Sequence, residues 1–229
     1  MANRYAWLDQ SPYVRVPKSV LEQVSFLATT EARDNRTPAA TDPVSADGTV
    51  SESLADTLNL TAADRAAVQE SFAAMRRQFR QLETEHARVV PEGPPREFNV
   101  GNQDSATVVL GAFPEAGSQL ALDLRAQITR AVGDDKAEVV WTQAKEVFRS
   151  TFREFGALEE IYTVARDERG GLSMWNGLRR PEEPRFESWG NSSGLRDLGA
   201  YPESVRSYFQ RWIDEHPSPV PASLPSPQL

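Results

Sequence analysis

Residues 61–88 read TAADRAAVQESFAAMRRQFRQLETEHAR, and the rest of the chain is best read outward from them. Val68, Phe72, Met75, Phe79, Leu82 and His86 recur at steps of 4, 3, 4, 3 and 4. That spacing predicts one long amphipathic helix over 61–88 with a heptad-like apolar seam. Thr61 suits the N-cap, and Asp64 adds negative charge beside the positive end of the helix. Leu60 stands where a staple residue would sit, although its expected partner, Arg65, is polar. Arg88 closes the helix with favourable charge, and Pro91, Pro94 and Pro95 bar its continuation. Burying one large apolar side chain is worth roughly 1.5–3 kcal/mol, so the seam requires a cover. A helix at 17–28, the later part of the chain or a second copy would each supply one.

Before the seam, residues 1–30 form a short helical segment. Tyr5, Trp7, Tyr13 and Val14 offer apolar surface, and Pro17 opens a helix carrying Val20, Leu21, Val24, Phe26, Leu27 and Ala28. Such a short helix must pack on a neighbour to persist. Residues 31–57 read as a disordered acidic linker. Six acids (Glu31, Asp34, Asp42, Asp47, Glu52, Asp56) face two arginines (Arg33, Arg36) there, a net charge of −4 out of −8 for the chain. The expected units are therefore 1–30, the linker 31–57, the long helix 58–90, an α+β domain over 96–216 and a Pro/Ser-rich disordered tail over 217–229.

Within 96–216, Phe98-Asn99-Val100 and Thr107-Val108-Val109-Leu110 read as strands. Pro114 opens a helix with Leu120, Leu124, Ile128 and Val132 on one face, ended by Gly133. Asp134 caps a second helix whose apolar set, Ala137, Val140, Trp141, Ala144, Phe148, Phe152 and Phe155, runs on to Gly156. From Leu158 the period becomes 2, and the turn at 167–171 predicts a hairpin with Leu172–Asn176. Arg185–Trp189 would add a third strand, and Pro202 starts a final helix with Val205, Tyr208, Phe209, Trp212 and Ile213. The fold class expected is α+β: a helical arm, then a small antiparallel sheet of two to four strands packed with about three helices.

Composition narrows function by exclusion. A net charge of −8 argues against a general nucleic-acid surface, which needs a basic face. No apolar run is long enough to span a membrane. Residues 1–13 lack the apolar core of a signal peptide, so a complete chain would be cytoplasmic, and periplasmic if an N-terminal segment had been removed. With no cysteine and only His86 and His216, neither a disulfide, a thiolate centre nor an all-histidine metal site is expected, and no cofactor is implied.

Candidate sites are few. Gly190-Asn191-Ser192-Ser193-Gly194 matches G-x-S-x-G, but a nucleophile elbow needs a parallel sheet and a downstream acid and histidine, which this chain has no room for. The segment reads instead as a Gly/Ser/Asn turn. The pairs Asp134-Asp135, Glu159-Glu160 and Glu182-Glu183 diverge on strand or helix, so none converges for acid/base work, and the last two read as solvated surface. His86, at the end of the seam, is either a pH-sensing contact or a half-exposed ring at a fraying terminus. Twelve of the twenty aromatic residues lie in 141–212, including four of five tryptophans. Most should be core; Trp175, Trp189 and Trp212, with Arg179, Arg180 and Asn191, could line a groove for a ligand or partner.

Leu60-Thr61-Ala62-Ala63-Asp64 before an amphipathic helix is similar to the L-T-x-x-Q start of periplasmic helical stress proteins, with Asp64 in place of the glutamine. The resemblance covers about thirty residues of an α-helical family, and no residue role is carried across from it. The expectation is a non-catalytic interaction or regulatory protein using the seam to contact a protein partner or a second copy. The alternatives are a small-molecule-binding or enzymatic α+β domain with the tryptophan groove, and the soluble part of an envelope stress or sigma-factor regulatory system.

Overall fold

The computed structural model describes residues 42–91, 93–101, 103–168, 170–183, 185–193, 198 and 201–217. The chain divides into two units at Pro43, and the fold below is that of the second, Val44–Leu229. The helix expected at 17–28, residues 31–41 of the linker and residues 218–229 of the tail lie outside the described residues.

Thr61 and Asp64 start the long helix by a reciprocal pair of hydrogen bonds. The Asp64 amide donates to Thr61 Oγ1 at 3.1 Å, and the Thr61 amide donates to Asp64 Oδ2 at 2.9 Å, a capping box. In front of it, residues expected as linker are folded. Val44 and Val50 pair across a turn closed by Gly48 and Asp47, and helix α1 (Glu52–Thr57) follows from the Ser51 cap. Val44, Val50, Ala55 and Leu60 are buried in the helical core, where Gly48 lies against the Phe72 ring. These four apolar anchors suffice here because the Ser, Thr and Asp between them satisfy the turn and cap. Their spacing is too irregular to mark an element.

Helix α2 (Ala62–His86) buries Val68, Phe72, Met75 and Phe79 against α3 (Pro114–Val132) and the segments after it. Beyond Gly133, the single helix expected from 134 to 155 is broken. It forms α4 (Asp134–Gln143), α5 (Lys145–Ser150) and α6 (Arg153–Gly156). Gly133 is the N-cap of α4, with Asp134 its first residue. The last segment is not a right-handed helix: Arg153, Glu154 and Phe155 have φ of 49°, 52° and 55°. The chain reverses there so that Phe155 folds back against Trp141, Phe148 and Phe152.

Five antiparallel strands, β1 (Ala87–Val89), β2 (Asp104–Leu110), β3 (Glu159–Arg166), β4 (Leu172–Arg179) and β5 (Ser188–Ser193), form one sheet in chain order. β1 takes over directly from α2, in place of the helical end expected at Arg88, because Ala87–Val89 pair with β2. The strand expected at Phe98-Asn99-Val100 is instead a 3₁₀ turn, Arg96–Phe98, ended by left-handed Asn99. Alternation divides the sheet into two buried faces. Ala106, Val108, Leu110, Tyr162, Val164 and Met174 face the final helix α7 (Glu203–Glu215) through Val205, Phe209 and Trp212. Val109, Ile161, Ala165 and Trp175 face Phe98, Val100 and Phe186 from the connecting loops. The architecture is α+β, with seven helical segments and a five-stranded antiparallel sheet among the described residues.

Candidate functional site

Strand register decides which of the tryptophans can act together. Trp175 is paired with Asn191 and Gly177 with Trp189, so Trp175 and Trp189 belong to the loop-covered face of the sheet. Gly177 has no side chain because the Phe186 and Phe98 rings lie over it; a Cβ there would fall 2.6 Å from Phe186. Phe98 and Phe186 stack at 5.1 Å, Trp189 joins them at 6.5 Å, and the Arg179 guanidinium sits 5.7 Å from the Phe186 ring. Arg179 also pairs with buried Glu159, and Arg180 bonds Glu154 and Glu187, both at 3.1 Å. Trp212 is elsewhere: it lies on α7 across the sheet, stacked on His216 at 4.8 Å. The three-tryptophan groove is therefore not formed. Trp175 is core, whereas Trp189 on the terminal strand of the sheet is 55% exposed.

Gly190-Asn191-Ser192-Ser193 is part of antiparallel β5 and not a turn, and Gly194 lies outside the described residues. Of the seam, Val68, Phe72, Met75 and Phe79 are buried within this chain, Leu82 is half-buried and His86 is exposed. A straight helix advances 3.6 residues per turn, so a 3.5-residue seam drifts around it. The buried stripe consequently continues to Glu83 and leaves His86 on the outside, with Nδ1 2.9 Å from the Leu82 carbonyl and its ring 5.2 Å from Phe113.

Glu83 belongs to a group that the sequence reading did not assemble. Its Oε1 accepts from Arg153 Nη2 at 3.3 Å, and Arg153 is 1% exposed. Arg153 Nη1 donates to the carbonyls of Leu110 and Leu158, both at 3.1 Å, and the guanidinium lies 5.5 and 5.4 Å from the Phe79 and Phe113 rings. Glu160, on β3, is hydrogen-bonded by the Tyr162 hydroxyl and by Asn176 Nδ2 at 3.4 Å, and feels the charges of both Arg153 and Glu83. Glu159 and Glu160 do point to opposite faces; Glu159 is buried and paired with Arg179, and Glu160 is half-buried.

Burial pushes the Glu83 carboxyl up to about 7, against the attraction of Arg153. Burial raises Glu160 as well, and burial beside Glu160 carries the Tyr162 phenol well above its ordinary value. The Arg153 guanidinium thus pairs directly with Glu83, and the charges of Glu160 and Arg80 act on that pair. Three elements supply the group: α2, the turn after α5, and β3. The available signal was the continuation of the 3.6-residue stripe from Phe79 to Glu83, and the strand alternation that puts Glu160 beside Tyr162.

Between α2 and α3 runs an open groove of about 460 Å³ lined by Ala67, Ser71, Gln127, Arg130 and Ala131. It brings one cation and no acid–base pair together. Among the described residues no group of three or more His, Cys, Asp or Glu side chains has metal-binding geometry, and no helix is long and apolar enough to cross a membrane. Comparison with family models, curated proteins and solved structures returns no match to the chain.

Proposed function

We propose that this chain is a non-catalytic interaction or regulatory protein whose contact element is the sheet face around Trp189. The observation that carries this reading is the exposure of Trp189 on the terminal strand, over a rigid Phe98–Phe186 stack. Tryptophan is enriched among residues that dominate binding energy, and one mounted on strand and aromatic support loses little freedom on binding. The neighbouring Arg179 and Arg180 are held by Glu159, Glu154 and Glu187, so the polar rim is pre-organised. The seam of α2 does not serve as the contact element in this reading, because its four central side chains are occupied inside the chain.

The test is site-specific photo-crosslinking in the native cell from position 189, with exposed Leu122 on α3 as the comparison. A discrete adduct of one protein from position 189 and none from position 122 is the expected result. Equal or absent labelling at both positions would remove the Trp189 face as the contact element.

A further inference from the structure

Successive residues of an antiparallel strand turn their backbone N–H and C=O groups to opposite sides. The Val90 amide donates to the Thr107 carbonyl and the Gly111 amide to that of His86, so odd-numbered residues of β2 bond towards β1 and even-numbered ones towards β3. Carried through the registers, Val108 bonds Tyr162, Ile161 bonds Gly177, and Asn176 bonds Gly190. The Leu178 carbonyl, which accepts from Glu187, faces β5 as the same parity requires. Trp189, Asn191 and Ser193 therefore turn their backbone groups away from the sheet, and among the described residues nothing is hydrogen-bonded to them. Sheet edges are ordinarily blunted by shortness, charge or proline. The β1 edge has all three: three residues, Arg88 at its centre and Pro91 just beyond. Strand β5, Ser188-Trp189-Gly190-Asn191-Ser192-Ser193, is six residues long with no charge and no proline.

We propose that β5 pairs antiparallel with β5 of a second copy about a two-fold axis at Asn191, so that the sheet runs on from one copy into the other. This rests on the reading of Trp189 as the contact element, and it names the partner. In a two-fold pairing a strand meets its own sequence reversed. The register that engages all three outward residues sets Asn191 opposite Asn191 and Trp189 opposite Ser193, and each such pair exchanges two hydrogen bonds. Like charges facing each other across a strand pair are destabilising. Strand β5 carries none, whereas two-fold pairing of β1 about its centre would set Arg88 against itself. The β5 edge is thus self-complementary in sequence as well as in backbone. Exposed Trp189 supplies the apolar surface that a bare ladder lacks, and its register position opposite a small residue leaves room for the indole.

Sedimentation equilibrium on the full chain, in a concentration series reaching about 100 µM, should give a dimer. Asn191→Lys and Asn191→Asp each set like charges face to face on the axis, with Cα atoms roughly 5.5 Å apart, and each should weaken the dimer by about tenfold or more. An equimolar mixture of the two variants should recover it, because only a two-fold at this position brings the lysine of one chain against the aspartate of the other. Should a variant not fold, wild-type amide hydrogen exchange decides. The Trp189 and Asn191 amides should slow by about tenfold or more from dilute to concentrated chain, and that of Gly190, already bonded to Asn176, should change less. A monomer at every concentration, a dimer indifferent to both charges, or exchange at Trp189 and Asn191 that ignores concentration would overturn the pairing. A monomeric chain that crosslinks another protein from position 189 in the cell would overturn the pairing alone and leave Trp189 as the contact element.

Discussion

Gly117 illustrates how one missing methyl group can set a fold. A Cβ at that position would lie 1.5 Å from the Phe155 carbonyl oxygen, a backbone atom with no freedom to yield. Gly117→Ala should push α3 away from the left-handed turn and cost about 3 kcal/mol or more, read from the urea midpoint. Arg153→Met should cost about 3–5 kcal/mol by the same measurement, since it strands the Glu83 carboxyl and two buried carbonyls at once. A loss below about 1 kcal/mol in either variant would mean that the turn is not clamped as described. Neither residue announces this role in the sequence. A glycine one turn into a helix reads as tolerated, and an arginine beside a glutamate reads as surface, because Phe155 for Gly117, and Leu110 and Glu83 for Arg153, lie 38 or more residues away.

For whole elements, periodicity was legible and its exact phase was not. The start of α2 at Thr61 and the run of α3 from Pro114 to Val132 follow from caps and spacing that act within one turn. The break of the expected 134–155 helix does not, because nothing local forbids its continuation; Phe155 turns back to meet Trp141 and Phe148. The seam makes a contrast that can be measured. Phe79 packs edge-on to Phe113 and Phe152 at 5.3 and 5.4 Å, so Phe79→Ala should cost about 3–5 kcal/mol. His86→Ala, at the exposed end, should cost less than about 1 kcal/mol. Sedimentation equilibrium on folded Leu82→Arg should give the wild-type mass; a lower mass would put the seam between copies of the chain.

The molecule as a whole should show an inverted acid dependence in part of its stability. Glu83 is held at about 7 in the folded state against 4.5 for an ordinary carboxyl, and Glu160 is raised in the same sense. Between these values the folded state binds more protons than the unfolded one, so this contribution is complete below pH 4.5 and is lost as pH rises through 7. For Glu83 it amounts to at most about 3 kcal/mol. Asp47 works the other way: hydrogen bonds from Ser45 and Thr49 lower it to about 2, so its contribution is present above pH 3.8 and lost as pH falls through 2. Chemical denaturation from pH 3 to 8 should therefore show greatest stability near pH 4 and a decline towards 8, reduced in Glu83→Gln. A profile still rising at pH 8 in the wild type would contradict the burial of Glu83 as an acid.

By itself the sequence determined the α+β class, the long helix and its cap, the α3 helix, the β3–β4 hairpin and the amphipathic final helix. All of these depend on contacts or periods within a few residues, where chain connectivity already places the partners. Tertiary structure alone decided that the seam is covered by α3 and its successors, that Trp212 lies across the sheet from Trp175 and Trp189, and that Glu83 and Arg153 meet. Those outcomes depend on strand register and on the direction in which each helix leaves its turn. The energies that set them are small differences between alternative packings, distributed over residues far apart in the chain.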